Sequence, residues 1–207
     1  MLNLSELITR FFDEYLIDPE IELYNEFSLQ HELGFFLRTI LPKDYKVQFE
    51  RNIKSLTTPP LPVPRYIKKE IDLCIFSRDM SEKYAIELKF ISYGQTPEMM
   101  YGCVKDLRFM EEVRQSGFVG AVSLCVTTES TFYQPSQKKG GIYKFFRGSR
   151  PLSGRIFKPT GQRENRESIL LQGNYQIVWR EFSQAHSPTC PPNHKPIVAY
   201  SIVEAKG

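Results

Sequence analysis

Leu4, Leu7, Ile8, Phe11, Phe12 and Tyr15 recur at helical spacing, so the chain is expected to open with an amphipathic helix. A second helix is predicted from Ser28, a suitable N-cap, to Leu41, where Pro42 stops it. Its apolar stripe is Leu29, Leu33, Phe36, Leu37 and Ile40. Glu32 borders that stripe, one turn from Leu29 and Phe36, where a carboxylate can reach the edge of a packed sheet. Glu26 precedes the cap and is the weaker candidate for a functional acid, an order that reverses if the helix starts earlier. Alternation of Val47 and Phe49 against Lys46, Gln48 and Glu50 predicts a strand over 46–53. Pro59, Pro60, Pro62 and Pro64 then require an extended loop, because proline at that density excludes helix and central strand.

Two apolar strands follow, and each carries charge at its centre: Ile71-Asp72-Leu73-Cys74-Ile75-Phe76 and Tyr84-Ala85-Ile86-Glu87-Leu88-Lys89-Phe90. Side chains alternate across a strand, so Glu87 and Lys89 share a face with Ala85, while Tyr84, Ile86, Leu88 and Phe90 form the other. A short turn around Ser77 to Lys83 lets the two strands pair as a hairpin, which brings Asp72, Glu87 and Lys89 to one spot. Isolated buried charges are costly, so such a cluster persists only if its members neutralise one another or bind a cation. Taken alone, Glu87-Leu88-Lys89 also suits the wet face of an antiparallel strand; Asp72 within its own apolar strand favours the cluster. An all-oxygen carboxylate pair suits Mg²⁺, which keeps several waters and commonly serves phosphate chemistry.

Thr96-Pro97-Glu98 is a strong helix start, and this helix is expected to reach Gln115 before Gly117. Met99, Cys103, Asp106, Met110 and Val113 fall on one side, and Asp106 is read as structural, bonding a helix end or a base. Gly120 to Val126 is nearly all apolar, as in a strand buried on both faces. This order predicts an α/β core with a central mixed sheet flanked by helices. Tyr175 to Phe182 and Ile197 to Val203 read as two further strands around a proline-rich turn. With no internal repeat and no convincing linker, residues 1–207 are expected to form a single domain. Its core spans about 28–127, and a basic, β-rich extension covers about 128–207.

Composition narrows the class. The 207 residues, 41% hydrophobic and 13% aromatic, suit an ordinary soluble globular chain. Cys74, Cys103, Cys125 and Cys190 lack CxxC spacing and are read as reduced core residues of a cytoplasmic protein. Asp13 and Glu14 break the N-terminal apolar residues, which argues against a signal peptide, and no stretch has the length of a membrane span. The net charge is only +3, but residues 1–42 carry eight acids against Arg10 and Arg38. Residues 138–166 reverse this, with Lys138, Lys139, Lys144, Arg147, Arg150, Arg155, Lys158, Arg163 and Arg166 against Glu164 alone. Tyr143, Phe145, Phe146 and Phe157 interleave with those bases, the composition of a surface that pairs with phosphates and stacks on bases. A solvated basic loop is the plainer reading of the same segment. His186, Cys190 and His194 supply three zinc-type ligands without a fourth and sit among prolines, so they are read as loop; His31 is read as a surface helix residue.

An acidic helix, then Asp72, then Glu87-Leu88-Lys89 on the next strand, then a helix and a buried strand, resembles the PD-(D/E)xK nuclease superfamily, with its restriction-endonuclease-like fold. The likeness covers about residues 28–127; the proline of the family name is absent, Ile71 preceding Asp72. Gln95 and Tyr101 do not match the Gln-x-x-x-Tyr motif of the exonuclease branch, so the resemblance points to a free-standing endonuclease of restriction or defence type. It implies that Asp72, Glu87 and the Leu88 carbonyl hold Mg²⁺, with Mn²⁺ as a substitute. Lys89 would orient or help deprotonate the attacking water and steady the charge on the phosphorane. Glu32 matches the helix acid that binds a second metal or a metal-bound water. The implied partner is DNA, bound by Lys138, Lys139, Lys144, Arg147, Arg150 and Arg155. A homodimer is expected if both strands of a palindrome are cut, although no interface patch is identifiable. A non-cutting nucleic-acid-binding protein of the same fold and an RNA-directed nuclease are the alternatives.

Overall fold

The hairpin between the two charged strands seeds the central sheet. The computed structural model describes residues 1–57, 66–135, 140–160, 166–183 and 197–207. Strands β2 (Glu70–Ser77) and β3 (Lys83–Ile91) pair antiparallel, and Asp79 stabilises their turn by accepting from the Ser77 hydroxyl and the Ser81 amide. β1 (Tyr45–Asn52) lies antiparallel to β2, and β4 (Gly120–Thr127) runs parallel to β3. A parallel neighbour requires a crossover, supplied by the helix α3 (Thr96–Gln115).

Two C-terminal strands complete the sheet. β8 (Ile197–Glu204) pairs with β4, and β7 (Arg180–Ser183) closes the far edge, giving six strands in the order β1-β2-β3-β4-β8-β7. The chain is therefore α/β with a mixed central sheet flanked by helices. A separate antiparallel pair, β5 (Leu152–Phe157) and β6 (Ser168–Tyr175), packs against α3. The sequence predicts a strand beginning at Tyr175; instead Tyr175 ends β6, and β7 starts only at Arg180.

Alternation along the strands feeds two cores. Leu73, Ile75, Ile86, Leu88, Val122 and Leu124 face α1 (Leu4–Arg10), a π-helical turn at Phe11–Tyr15, and α2 (Glu26–Ile40). Cys74, Ala85, Ala121 and Cys125 face α3 and the short helices α4 (Ser130–Tyr133) and α5 (Tyr143–Phe146). Cys74, Cys103 and Cys125 are buried and free. Among the described residues, no helix is long and apolar enough to cross a membrane.

Helix α2 begins two residues before Ser28. Asn25 is the N-cap, its side chain accepting from the Ser28 amide at 2.8 Å while Ser28 Oγ accepts from the Asn25 amide at 3.1 Å. Ser28 is thus the N3 residue of a capping box, and Glu26 joins the helix. Farther along α2, Gly34 lets the helix lie directly on β1: a Cβ there would stand 2.3 Å from the Phe49 ring.

Candidate functional site

Strands β2 and β3 pair regularly from Phe76/Lys83 to Leu73/Ile86 and then separate. The β3 edge left open beyond that fork is capped by carboxylates rather than by backbone. Asp72 Oδ2 accepts from the Leu88 amide at 2.7 Å, and Glu26 Oε2 accepts from the Phe90 amide at 3.2 Å. Within a strand the carbonyl of a residue points the same way as its N–H, so the Leu88 carbonyl shares this edge.

Glu87 lies one residue back along β3 and is completely buried. Its Oε1 is paired with the Lys68 ammonium, while Oε2 has no hydrogen-bond partner among the described residues. Lys68 also donates to Asp106 Oδ1 at 3.0 Å. Asp106, itself buried on α3, presents Oδ2 to Lys89 Nζ at 3.6 Å, and Lys89 reaches Glu26 Oε2 at 3.4 Å. A continuous ionic chain results, running Glu87, Lys68, Asp106, Lys89, Glu26. With Asp72 it contains four carboxylates and two ammonium groups, a formal excess of two negative charges.

This charge balance shows in the acidities. Burial pushes the Asp72 carboxyl up to about 6; the Leu88 N–H and Lys68 pull it down, and Glu26 and Glu50 push it further up. For Lys89, burial favours the neutral amine, but the Asp106 and Glu26 carboxylates outweigh it and hold the ammonium above the ordinary lysine range. Lys89 is therefore a firmly charged donor here.

Two neighbours complete the fork. Gln30, one turn after Glu26, donates to the Asp72 carbonyl at 3.0 Å and to Glu50 Oε1 at 2.6 Å. Glu50, on β1 between the residues facing Leu73 and Ile71, has φ of 49°, a left-handed conformation costly for a side chain of this kind. Glu32 lies elsewhere in the network of contacts: it accepts from the Tyr15 hydroxyl at 2.9 Å and sits 3.4 Å from His31. The structure thus brings Asp72, Glu87, Leu88 and Lys89 to one fork and supplies Glu26 as its α2 acid.

Sequence reasoning missed Lys68, and it assigned Asp106 only a general structural role. Lys68 shares the even-numbered parity of Asp72, four residues ahead of it, which is the one signal it carried. Glu26 was signalled by the Asn25-x-x-Ser28 spacing.

The basic segment divides. Lys138, Lys139 and Arg163 lie outside the described residues, as do His186, Cys190 and His194. Arg150 and Arg155 are exposed, Arg155 donating to Ser168 Oγ at 2.9 Å across the β5–β6 pair. Lys144 lies over the Phe145 ring, and Arg147 stacks 4.1 Å above Tyr143. Phe145 and Phe146 are core residues, so of the four interleaved aromatics only Phe157 and part of Tyr143 reach the surface.

Among the described residues, no three His, Cys, Asp or Glu side chains form a ready-made metal cage. Mg²⁺ needs less than that: one or two carboxylates with waters completing its shell. Asp72, the Glu87 Oε2 that lacks a hydrogen bond among the described residues, and the Leu88 carbonyl are hard oxygen donors of the kind such a cation takes, carried on neighbouring positions of the fork. No protein-family model matches the chain, and no curated protein or solved structure matches it significantly.

Proposed function

We propose that the chain is a metal-dependent endodeoxyribonuclease of the PD-(D/E)xK superfamily, with a restriction-endonuclease-like core. The observation that carries this reading is the fork itself. A fully buried glutamate with an oxygen lacking a hydrogen bond among the described residues directly precedes Leu88, whose N–H Asp72 holds, in a net-negative cluster that includes a charged lysine. A purely structural charge cluster would be expected to saturate its acceptors.

Asp72, Glu87 and the Leu88 carbonyl would hold Mg²⁺ or Mn²⁺, which supplies charge neutralisation on the phosphate and a more acidic bound water. The residues themselves perform the remaining work. Leu88 N–H fixes the Asp72 carboxylate, and Gln30 ties the Asp72 backbone to α2. Lys89, held charged by Asp106 and Glu26, is suited to stabilising negative charge on the phosphorane and to orienting the attacking water more than to removing its proton. Glu26 is the acid best placed to position that water, because it touches both Lys89 and the open edge of β3. Free buried thiols support a cytoplasmic location, and a two-fold dimer would serve cleavage of both strands of a palindrome.

Incubation of the purified protein with plasmid and with linear DNA in Mg²⁺ or Mn²⁺ is expected to give nicks or cuts that Glu87→Ala and Lys89→Ala abolish. Cleavage that survives both substitutions would sink the proposal. A second reading has its own observation: Lys68 and Lys89 already neutralise part of the cluster, as they would in a protein that binds nucleic acid without cutting it. Salt-sensitive DNA binding with no metal-dependent cleavage would favour that reading, and parallel assays on RNA and DNA separate an RNA-directed enzyme from both.

A further inference from the structure

Beside the N-terminus of α3 lies a cavity of about 660 Å³, within the range of roughly 300–1,000 Å³ usual for small-molecule sites. Among the described residues its charged lining is cationic, Lys144, Arg155 and Arg166, with no carboxylate. Its flat apolar surface comes from Tyr143 and from Phe157, which is 52% exposed although it belongs to a strand. An aromatic face left open beside three cations has a specific chemical complement, a phosphate joined to a planar base. Duplex DNA offers its phosphates on a convex surface with its bases stacked inside, and so cannot place a base within such a cavity. An unpaired nucleotide can.

The cavity is connected to the fork by the turn between β3 and α3. Pro97 lines the cavity, Lys89 belongs to the fork, and Tyr93 stands four residues from each with 84% of its surface exposed. Eight residues span at most about 29 Å, so a strand of several nucleotides can reach from one place to the other. On α2, Phe27 follows Glu26 directly and is 77% exposed. Solvent-facing aromatics a few residues from members of an anionic cluster are poorly explained by packing and well explained by base stacking.

We propose that this cavity holds an unpaired nucleotide of a DNA strand, its phosphate against Lys144, Arg155 and Arg166 and its base against Phe157 or Tyr143. Tyr93 stacks on a base between the cavity and the fork. Single-stranded DNA, or a junction with an unpaired tail, is then the preferred partner. The inference rests on the nucleic-acid reading above but not on cleavage.

Fluorescence anisotropy in EDTA, with wild type and Glu87→Gln, tests binding apart from catalysis. A labelled single strand is expected to bind at least about tenfold more tightly than the same sequence as blunt duplex. Phe157→Ala and Arg155→Glu should each weaken it about tenfold, and only the arginine variant should flatten the dependence on salt. Arg155→Gln and thermal melts of each variant guard against loss of fold. Equal or tighter binding of duplex, or unchanged affinity in these variants, would overturn the proposal. So would a mononucleotide that competes as well as the strand, which would make the cavity a site for free nucleotides. Preferential strand binding by a wild-type protein that never cuts would support this inference while removing the catalytic one.

Discussion

Among the described residues two glutamates have no exposed surface, and their surroundings differ in kind. Glu111, on α3, accepts from the Gln172 and Gly173 amides, from the Tyr175 hydroxyl and from Arg108, so the β5–β6 pair is fastened to the helix by fixed donors. Glu87 has one lysine, whose side chain is about one-third exposed, and an oxygen without a hydrogen bond. Burial alone therefore says little about function. A carboxylate saturated by rigid donors is part of the framework, whereas one left partly open beside a movable ammonium can exchange its partner for a ligand.

The comparison breaks most sharply at Glu87 itself. On the proposed nuclease reading, Glu87→Gln is expected to lower DNA cleavage by about 100- to 1,000-fold, read in a plasmid assay, because one charge that would coordinate the metal is lost. The fold should survive, since Lys68 keeps Asp106 as a partner. Glu111→Ala should do the reverse. It strands two amides and the Tyr175 hydroxyl and should cost about 3–5 kcal/mol in urea unfolding, with activity per folded molecule preserved.

Asp72 sharpens the contrast through pH. Its folded pKa of about 6 exceeds the ordinary 3.8, so the folded state takes up its proton first as pH falls. Its contribution to stability is therefore most favourable below the unfolded value and is lost as pH rises through the folded one. Asp72→Asn, which keeps an acceptor for the Leu88 amide, should raise stability by about 1–3 kcal/mol at pH 8, a gain that disappears below about pH 4. Melting curves across that range measure it. The smallest effect separates two helix acids: Glu26→Gln should reduce cleavage about tenfold, while Glu32→Gln should leave it within about twofold.

Asp72, Glu87 and Lys89 were legible because each violates the apolar pattern of its own strand, and a violation is visible without knowing the fold. Lys68 was not, because a lysine ahead of a strand looks like any solvated charge until the chain beyond the proline-rich loop is placed beside α3. Glu26 was obscured by its cap. Ser28 is a good N-cap residue in isolation, and only the pairing with Asn25 moves the helix start and brings Glu26 to the fork. Much of the α/β order was readable from periodicity, but the end of β6 was not, since Tyr175 is fixed by a hydroxyl bond to Glu111, 64 residues away in the chain.

Gly34 carries no chemistry, yet it sets the distance between α2 and β1, and with it the approach of Glu26 and Gln30 to the fork. In evolutionary terms this makes positions 34 and 49 a single coupled character. A lineage can exchange the glycine for a larger residue only if the aromatic ring opposite swings aside or is given up. Homologues that retain the fork should therefore show changes at those two sites correlated.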